Sequence, residues 1–278
     1  MTKIPYEKER MELAEFSRSA GISPDLTQGA GGNVSIKTGD GNMLIKASGF
    51  RMRELSPDNG ISLVSLFSLN KVLGNLSFTE QQLSSAISES GRPFNGSLLK
   101  PSVETGFHAM LGSAVLHQHS IYSNFISSCS SSPDLIAKLF PKACFVPFAL
   151  PGYELCLAIK KALNVASAAS GLLFLQNHGL VSYADSAEEA VSIANKANER
   201  IIKHFSLPPF HLLASQDEIS QALAGLDFDR MLTLDQLLYC SAMPSAESIK
   251  GDLLEIISAL IWLHSAMRGC GLSPAYIY

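Results

Sequence analysis

The segment Ala114-Val115-Leu116-His117-Gln118-His119 places two histidines two positions apart at the end of an apolar run. A β-strand points residues i and i+2 to the same face, so we expect both imidazoles to project together from a short buried strand. His178 lies between an asparagine and a glycine, a pattern typical of a strand end or a tight turn. A lone buried histidine is more often a core residue, but three histidines with an open position suit a catalytic zinc site. His117, His119 and His178 are therefore the predicted metal ligands.

Glu104, in the segment Pro101-Ser102-Val103-Glu104-Thr105, is the candidate catalytic carboxylate. Ser102 is expected to begin a helix through Leu111, which places Glu104 in the first turn. The helix dipole stabilises a carboxylate there, so Glu104 could have a purely structural role. Next to a metal it could instead act as a base or as a fourth ligand. The residues alone leave these roles open.

Over residues 7–205 the chain resembles the class II aldolase/adducin family of zinc-dependent sugar aldolases and 4-epimerases. Its resemblance is closest to the aldolase portion of bifunctional sugar aldolase/dehydrogenase proteins. A further segment, Leu232-Thr233-Leu234-Asp235-Gln236, resembles a region downstream of the aldolase core in those longer proteins. Besides the histidine pair, the motifs that carry the resemblance are Gly31-Gly32-Asn33-Val34-Ser35, Ile45-Lys46-Ala47-Ser48-Gly49, Pro101-Ser102-Val103-Glu104-Thr105 and Asn177-His178-Gly179-Leu180.

The resemblance implies a role for each motif. Glu104 would be the general acid/base, and the three histidines would bind Zn²⁺ or another divalent metal. The two glycine-containing motifs would hold the anionic end of the substrate through backbone N–H groups and hydroxyls. The residues that would contact this anionic group are Gly32, Asn33, Ser48, Gly49 and Ser102.

The chain departs from the family pattern at two positions. Val103 replaces a second serine that phosphate-binding members often have, and Gln118 stands where threonine is commoner. Strand alternation predicts that Gln118 faces away from the metal. Lys46 and Lys100 are further candidates for an anion contact, although alternation could leave Lys46 in solvent. The family's proton-donating tyrosine comes from a neighbouring subunit and matches no motif here; the candidates by proximity are Tyr122, Tyr153 and Tyr183.

The composition is that of a folded protein with a substantial core. Of 278 residues, 46% are hydrophobic and 17% are charged, with a formal net charge of −4 and no basic stripe, so nucleic acid is not an expected partner. The five cysteines are scattered and odd in number, which favours reduced thiols over disulfides. The charged N-terminus predicts no secretory signal. Residues 253–267 are too short to span a membrane, so a cytoplasmic location is expected.

The predicted elements indicate an α/β fold, a three-layer α/β/α sandwich on a mixed, mostly antiparallel sheet with a helical C-terminal extension. The Pro208-Pro209 pair marks a boundary between a catalytic domain of residues 1–206 and an extension of residues 207–278 that packs on it. Strands are expected at residues 33–37, 43–47, 114–119, 143–150, 172–175 and 180–183. Helices are expected from Ser132 and at residues 7–20, 79–90, 102–111, 153–166, 186–205, 216–224 and 246–268.

The predicted function is that of a zinc-dependent lyase of aldolase type. It would cleave a carbon–carbon bond of a ketose phosphate or a related hydroxy-keto acid through a metal-stabilised enediolate. The same site would serve a ketopentose-phosphate 4-epimerase or a 3-keto sugar acid decarboxylase. The alternative from another class is a non-catalytic scaffold like the adducin head domain, which has the fold without the metal ligands.

The resemblance also implies assembly into a homotetramer with each active site at a subunit boundary. Residues 253–267, which include Trp262, are more apolar than a solvated helix requires. This helix could contact another subunit or cover the sheet of its own subunit, and the residues are compatible with both.

Overall fold

One mixed β-sheet organises the fold. A computed structural model describes residues 5–75, 77–93, 98–163, 169–240 and 244–277. The strands in this part of the chain are β1 (Asn33–Lys37), β2 (Asn42–Lys46), β3 (Ile61–Ser65), β4 (Gly91–Arg92), β5 (Ala114–Gln118), β6 (Cys144–Val146), β7 (Gly171–Leu175) and β8 (Gly179–Ala184). They follow the order β4-β3-β2-β1-β5-β8-β7-β6, and only the β6–β7 pair among these described strands is parallel. The predicted mixed, mostly antiparallel sheet is confirmed.

Helices cover both faces of this sheet. They are α1 (Glu7–Ala20), α2 (Leu66–Leu73), α3 (Glu80–Ser90), α4 (Thr105–Met110), α5 (Ile121–Ser127), α6 (Ser132–Leu139), α7 (Tyr153–Leu163), α8 (Ala187–Phe205), α9 (Gln216–Ala224), α10 (Leu234–Tyr239) and α11 (Asp252–Gly269). Helices α1, α5, α8 and α11 share one apolar cluster with Val34 and Leu116, whereas α2, α3, α4 and α7 pack on Ile45 and Val115. Alternate residues of each strand therefore fill opposite layers, as the predicted α/β/α sandwich requires.

Several short elements lack a counterpart in the sequence prediction, namely β3, β4, α2, α5 and α10. Each is eight residues long or less, so it offers too few positions for a hydrophobic period to stand out. The last helix begins at Asp252 rather than at residue 246, because Gly251 has a φ of 58° and interrupts helical geometry. Residues 164–166 of the helix predicted at 153–166 lie outside the described residues.

Helix α11 packs into the core of its own chain. Ile256, Leu260 and Leu263 are buried in the cluster that contains α5 and α8. The Trp262 indole N–H donates a hydrogen bond to the carbonyl of Pro208 at 3.2 Å. The apolar character of residues 253–267 is thus explained by packing within the subunit and is no argument for assembly. Among the described residues, no helix is both long and apolar enough to cross a membrane.

Strand register brings three distant segments to one end of the sheet. His117, near the end of β5, pairs with Asn33 at the start of β1 and with Val181 of β8. The turn between β7 and β8 contains His178, and Gln118 pairs with Leu180 just beyond it. The antiparallel order β1-β5-β8 therefore places the glycine-rich segment before β1, the histidine pair and the third histidine next to one another.

Candidate metal centre

The three predicted metal ligands converge on one point. His117 lies on β5, His119 one residue beyond the strand, and His178 in the β7–β8 turn. The Nε2 atoms of His117 and His119 are 3.1 Å apart, and those of His117 and His178 are 3.2 Å apart. Nitrogen ligands of a tetrahedral Zn²⁺, at about 2.0–2.1 Å from the ion, lie about 3.3–3.4 Å from one another. The spacing of the three imidazoles therefore fits a small divalent cation.

In two of the rings, the hydrogen bond made by Nδ1 determines which nitrogen carries the proton. The Nδ1 atom of His117 is 2.9 Å from the carbonyl oxygen of Leu180, which can only accept, so Nδ1 carries the proton. The Nδ1 atom of His119 is 2.9 and 2.8 Å from the two carboxylate oxygens of Asp235, so it donates as well. In the neutral rings both Nε2 atoms then present lone pairs to each other at 3.1 Å. Two facing lone pairs repel, and a cation bound between them would remove that repulsion.

Burial lowers the pKa of two of the rings. Burial, with the neighbouring His119, lowers the pKa of His117 even though Glu104 opposes that change. Burial and the two other histidines hold the pKa of His178 well below its ordinary value. Burial also lowers the pKa of His119, but Asp235 more than offsets it and the net pKa is raised. A proton on Nε2 of His119 could form a hydrogen bond to one neighbouring Nε2 atom, whereas a metal ion would be bound by all three Nε2 atoms at once.

Glu104 faces the same point from α4. Its Oε1 atom is 3.4 Å from Nε2 of His117 and 3.7 Å from Nε2 of His178. The predicted helix start was wrong, because α4 begins at Thr105 and Glu104 is its N-cap residue. Ser102 instead forms a turn in which its hydroxyl accepts a hydrogen bond from the Glu104 backbone N–H at 3.2 Å. This turn directs the carboxylate to the histidines.

The predicted anion-binding segments lie next to this centre. Gly32 has a φ of +71°, and a side chain there would come within 2.8 Å of the His117 carbonyl. Gly49 also has a positive φ, of +82°. The Ser48 backbone N–H donates to the carbonyl of Lys100 at 3.0 Å, which joins the turn after β2 to the segment with Ser102. Asn33 is buried at the start of β1, opposite His117. The structure therefore brings all five predicted residues to adjoining segments.

Lys46 adds a buried positive charge between these segments. Its Nζ donates to the carbonyl oxygens of Phe50 at 2.7 Å and Ala30 at 3.3 Å. Burial lowers the pKa of Lys46 to about 8, an effect that the nearby Glu104 opposes. Lys46 is thus buried and mostly charged near neutral pH, in contrast to the solvent-exposed alternative that strand alternation allowed. Lys100, by comparison, is exposed.

Two further expectations concern residues around the histidines. Gln118 donates to the carbonyl of Ala20 at the end of α1, which confirms that it points away from His117. The candidate tyrosines have contacts elsewhere in the described structure: Tyr122 donates to Asp25, Tyr153 packs edge-on against Phe78, and the Tyr183 ring lies against Gly171.

Asp235 is the residue at this site to which the motifs assigned no role. It lies in the first turn of α10, and its carboxylate is buried against His119. A signal for the helix start was present, since Thr233 and Gln236 have the spacing of a helix cap, and the Thr233 hydroxyl accepts from the Gln236 backbone N–H. The contact with His119 spans 116 positions in sequence, so no local pattern could reveal it.

Comparison with known proteins agrees with this geometry. Residues 11–200 match the family described as Class II Aldolase and Adducin N-terminal domain. The chain belongs to this family. A comparison with curated proteins gave no match.

Solved structures of the family share the fold of this member. The N-terminal class II aldolase domain of a conserved protein from Thermoplasma acidophilum has a TM-score of 0.62 and 23% identity, and the match covers 73% of this chain and 97% of that one. For YgbL from Escherichia coli, a candidate aldolase/epimerase/decarboxylase by its description, the TM-score is 0.52 at 23% identity, with coverage of 77% and 97%. For an L-fuculose 1-phosphate aldolase, the TM-score is 0.51 at 18% identity, with coverage of 78% and 96%. At these sequence identities the structural similarity establishes the fold alone.

Proposed function

We propose that this family member is a zinc-dependent lyase of aldolase type, which cleaves a carbon–carbon bond of a ketose phosphate or a related hydroxy-keto acid. The observation that carries the proposal is the pair of His117 and His119 nitrogens that face each other at 3.1 Å with their outer nitrogens already donating. Such a pair suits a bound cation, and His178 and Glu104 provide the further ligand atoms around it. Three nitrogens and an adjacent carboxylate form a donor set that Zn²⁺ prefers, although other divalent metals could bind.

A bound divalent metal would supply polarisation of the substrate carbonyl and stabilisation of the negative charge on the enediolate. Glu104 is the proposed general acid/base, because its Oε1 lies beside the histidine nitrogens where that carbonyl would be held. From there it can take or return the proton of the adjacent carbon or hydroxyl. His117, His119 and His178 would hold that metal.

The anionic end of the substrate is proposed to bind at Gly32, Asn33, Ser48, Gly49 and Ser102. Glycines with positive φ expose backbone N–H groups, which suits recognition of a phosphate or carboxylate. The buried ammonium of Lys46 lies between these segments. Its positive charge would strengthen anion binding at a site where Val103 replaces a serine and so removes one hydroxyl. A phosphorylated ketose is the first substrate class to test.

Replacing Lys46 by methionine is expected to raise KM for the phosphorylated substrate by about tenfold or more, because a charge-assisted contact is lost while the side-chain volume is kept. The decrease in kcat should be smaller. Steady-state kinetics would measure both, with Lys142→Met, a change at an exposed lysine, as the control. Because the ammonium has a pKa of about 8, competitive inhibition by inorganic phosphate should weaken as the pH rises through that value. An unchanged KM in Lys46→Met would remove Lys46 from the anion site.

The protein is expected to form a homotetramer, with a scattering mass four times the 29.9 kDa of the chain. Exposed apolar side chains flank the proposed site, since Val103 precedes Glu104 and Leu238 lies on the helix that carries Asp235. A second subunit could cover them. Light scattering at micromolar concentration would measure the mass. An active monomer would exclude an active site that is shared between subunits.

The function is tested by a screen of ketose phosphates and keto-acids. Protein stripped of metal and protein restored with Zn²⁺ would be compared for release of an aldehyde, a triose phosphate or carbon dioxide. Zinc-dependent aldehyde or triose release supports the aldolase. Carbon dioxide release would indicate the decarboxylase, and interconversion of two ketopentose phosphates would indicate the 4-epimerase. No zinc binding by the purified protein would instead support the adducin-like scaffold.

A further inference from the structure

The C-terminal extension contributes to the proposed metal centre through Asp235. This residue lies outside the span 11–200 that matches the family, yet both of its carboxylate oxygens lie within 2.9 Å of Nδ1 of His119. Both side chains are 6% exposed, so solvent hardly competes for the contact. Because the Asp235 carboxylate accepts this hydrogen bond, the proton of a neutral His119 ring lies on Nδ1 and Nε2 is the nitrogen that can ligate.

The position of Asp235 is itself fixed by the turn that carries His178. The backbone N–H of Leu234 donates to the carbonyl of Asn177 at 2.7 Å. The Asn177 amide donates in return to the carbonyls of Leu232 at 2.7 Å and Ala275 at 2.6 Å. Asn177 has a φ of 57°, an uncommon conformation that these bonds hold. The start of α10 is therefore hydrogen-bonded to the residue next to one proposed ligand while Asp235 contacts another.

A second contact from the extension reaches the glycine-rich segment. Glu255, in the first turn of α11, accepts from the Gly29 backbone N–H at 2.8 Å and from the Arg53 guanidinium at 2.6 Å. The segment that precedes Asn33 and the histidine at position 119 are thus both held by residues beyond the matched family region. The other two proposed ligands are not held by residues beyond that region. Nδ1 of His117 donates to the carbonyl of Leu180 within it, and Nδ1 of His178 has no hydrogen-bond partner among the described residues.

We propose that Asp235 is a positioning residue of the metal centre, which holds His119 in the tautomer and orientation that bind the metal. The inference rests on the proposed function, because it takes His119 as a ligand. A purely structural role is the competing explanation. A buried carboxylate paired with one imidazole is, however, a weak source of stability, because the cost of removing the charge from water offsets most of the attraction. Carboxylates that accept from ligand histidines typically strengthen metal binding by about 10–100-fold.

The test measures the Zn²⁺ dissociation constant by competition with a chromophoric chelator, together with the unfolding temperature of the metal-free protein. Asp235→Asn keeps the size of the side chain but removes its charge and lets its amide donate to Nδ1. It is expected to weaken Zn²⁺ binding by about 10–100-fold. Asp229→Asn, the same change at an exposed position of the same segment, should leave the constant unchanged. Co²⁺ spectra should show a distorted site in Asp235→Asn alone.

A milder variant covers the case in which Asp235→Asn does not fold. Thr233→Ala removes the cap of α10 and should weaken Zn²⁺ binding by a smaller factor. Zinc affinity equal to that of the unmodified protein in whichever of these variants folds, even with a lowered unfolding temperature, would overturn the positioning role and leave the proposed function intact. Failure of the unmodified protein to bind Zn²⁺ or Co²⁺ would overturn the proposed function, and this inference with it.

Discussion

His117→Ala, His119→Ala and His178→Ala are each expected to reduce bound zinc from about one ion per chain to a small fraction of that value, because a three-histidine site retains too few ligands after any one is removed. Metal content would be measured by mass spectrometry after gel filtration. The three side chains lie together at the end of the sheet and are at most 6% exposed, so a folded variant must also tolerate a small cavity.

The control for this series is His211→Ala, which changes an exposed histidine of the C-terminal region and should keep stoichiometric zinc. Circular dichroism would show whether each variant keeps its secondary structure. If all three site variants are folded and still hold one zinc per chain, the ligand assignment is wrong and the metal lies elsewhere.

Glu104→Gln is expected to retain zinc and to lose activity by about a hundredfold or more, the usual consequence of removing a general acid/base. Glutamine has the size of glutamate, and the turn at Ser102 is held by the backbone N–H of residue 104, so this turn should persist. Turnover would be measured on the substrate found by the screen, with Glu89→Gln, at an exposed position of α3, as the control.

The same variant separates the two roles that the position of Glu104 allows. A large loss of zinc in Glu104→Gln would indicate that the carboxylate is chiefly a fourth ligand. Turnover close to that of the unmodified enzyme would move the proton transfer to another residue. Loss of turnover with zinc retained is the result that the proposed mechanism requires.

Local patterns were sufficient to predict the part of the site that depends on strand geometry. His117 and His119 project together because β5 alternates, and the glycine and asparagine around His178 suit the turn that contains it. Gly32 and Gly49 lie in the turns that the motifs indicated, and their positive φ is a conformation that glycine adopts readily. These residues were also the ones for which the family resemblance supplied a chemical role.

Features that depend on distant contacts could not be predicted in this way. The six-residue helix α10 is too short to show a hydrophobic period, and Asp235 meets His119 only after the whole chain has folded. Alternation could not decide whether Lys46 would be in solvent, because its burial depends on the carbonyls of Ala30 and Phe50 from the adjoining loops. The apolar residues of α11 were compatible with contact to another subunit and with packing in their own subunit. The structure shows that they pack in the core of their own chain.

Anomalous X-ray diffraction tests the central claim, that His117, His119 and His178 hold a divalent metal, most directly. Crystals of protein purified without chelator and supplied with Zn²⁺ would be measured on both sides of the zinc absorption edge. The expected result is one strong peak per chain, about 2.0–2.1 Å from each of the three Nε2 atoms. The absence of a peak at this position, or a stronger zinc peak elsewhere in the chain, would contradict the account.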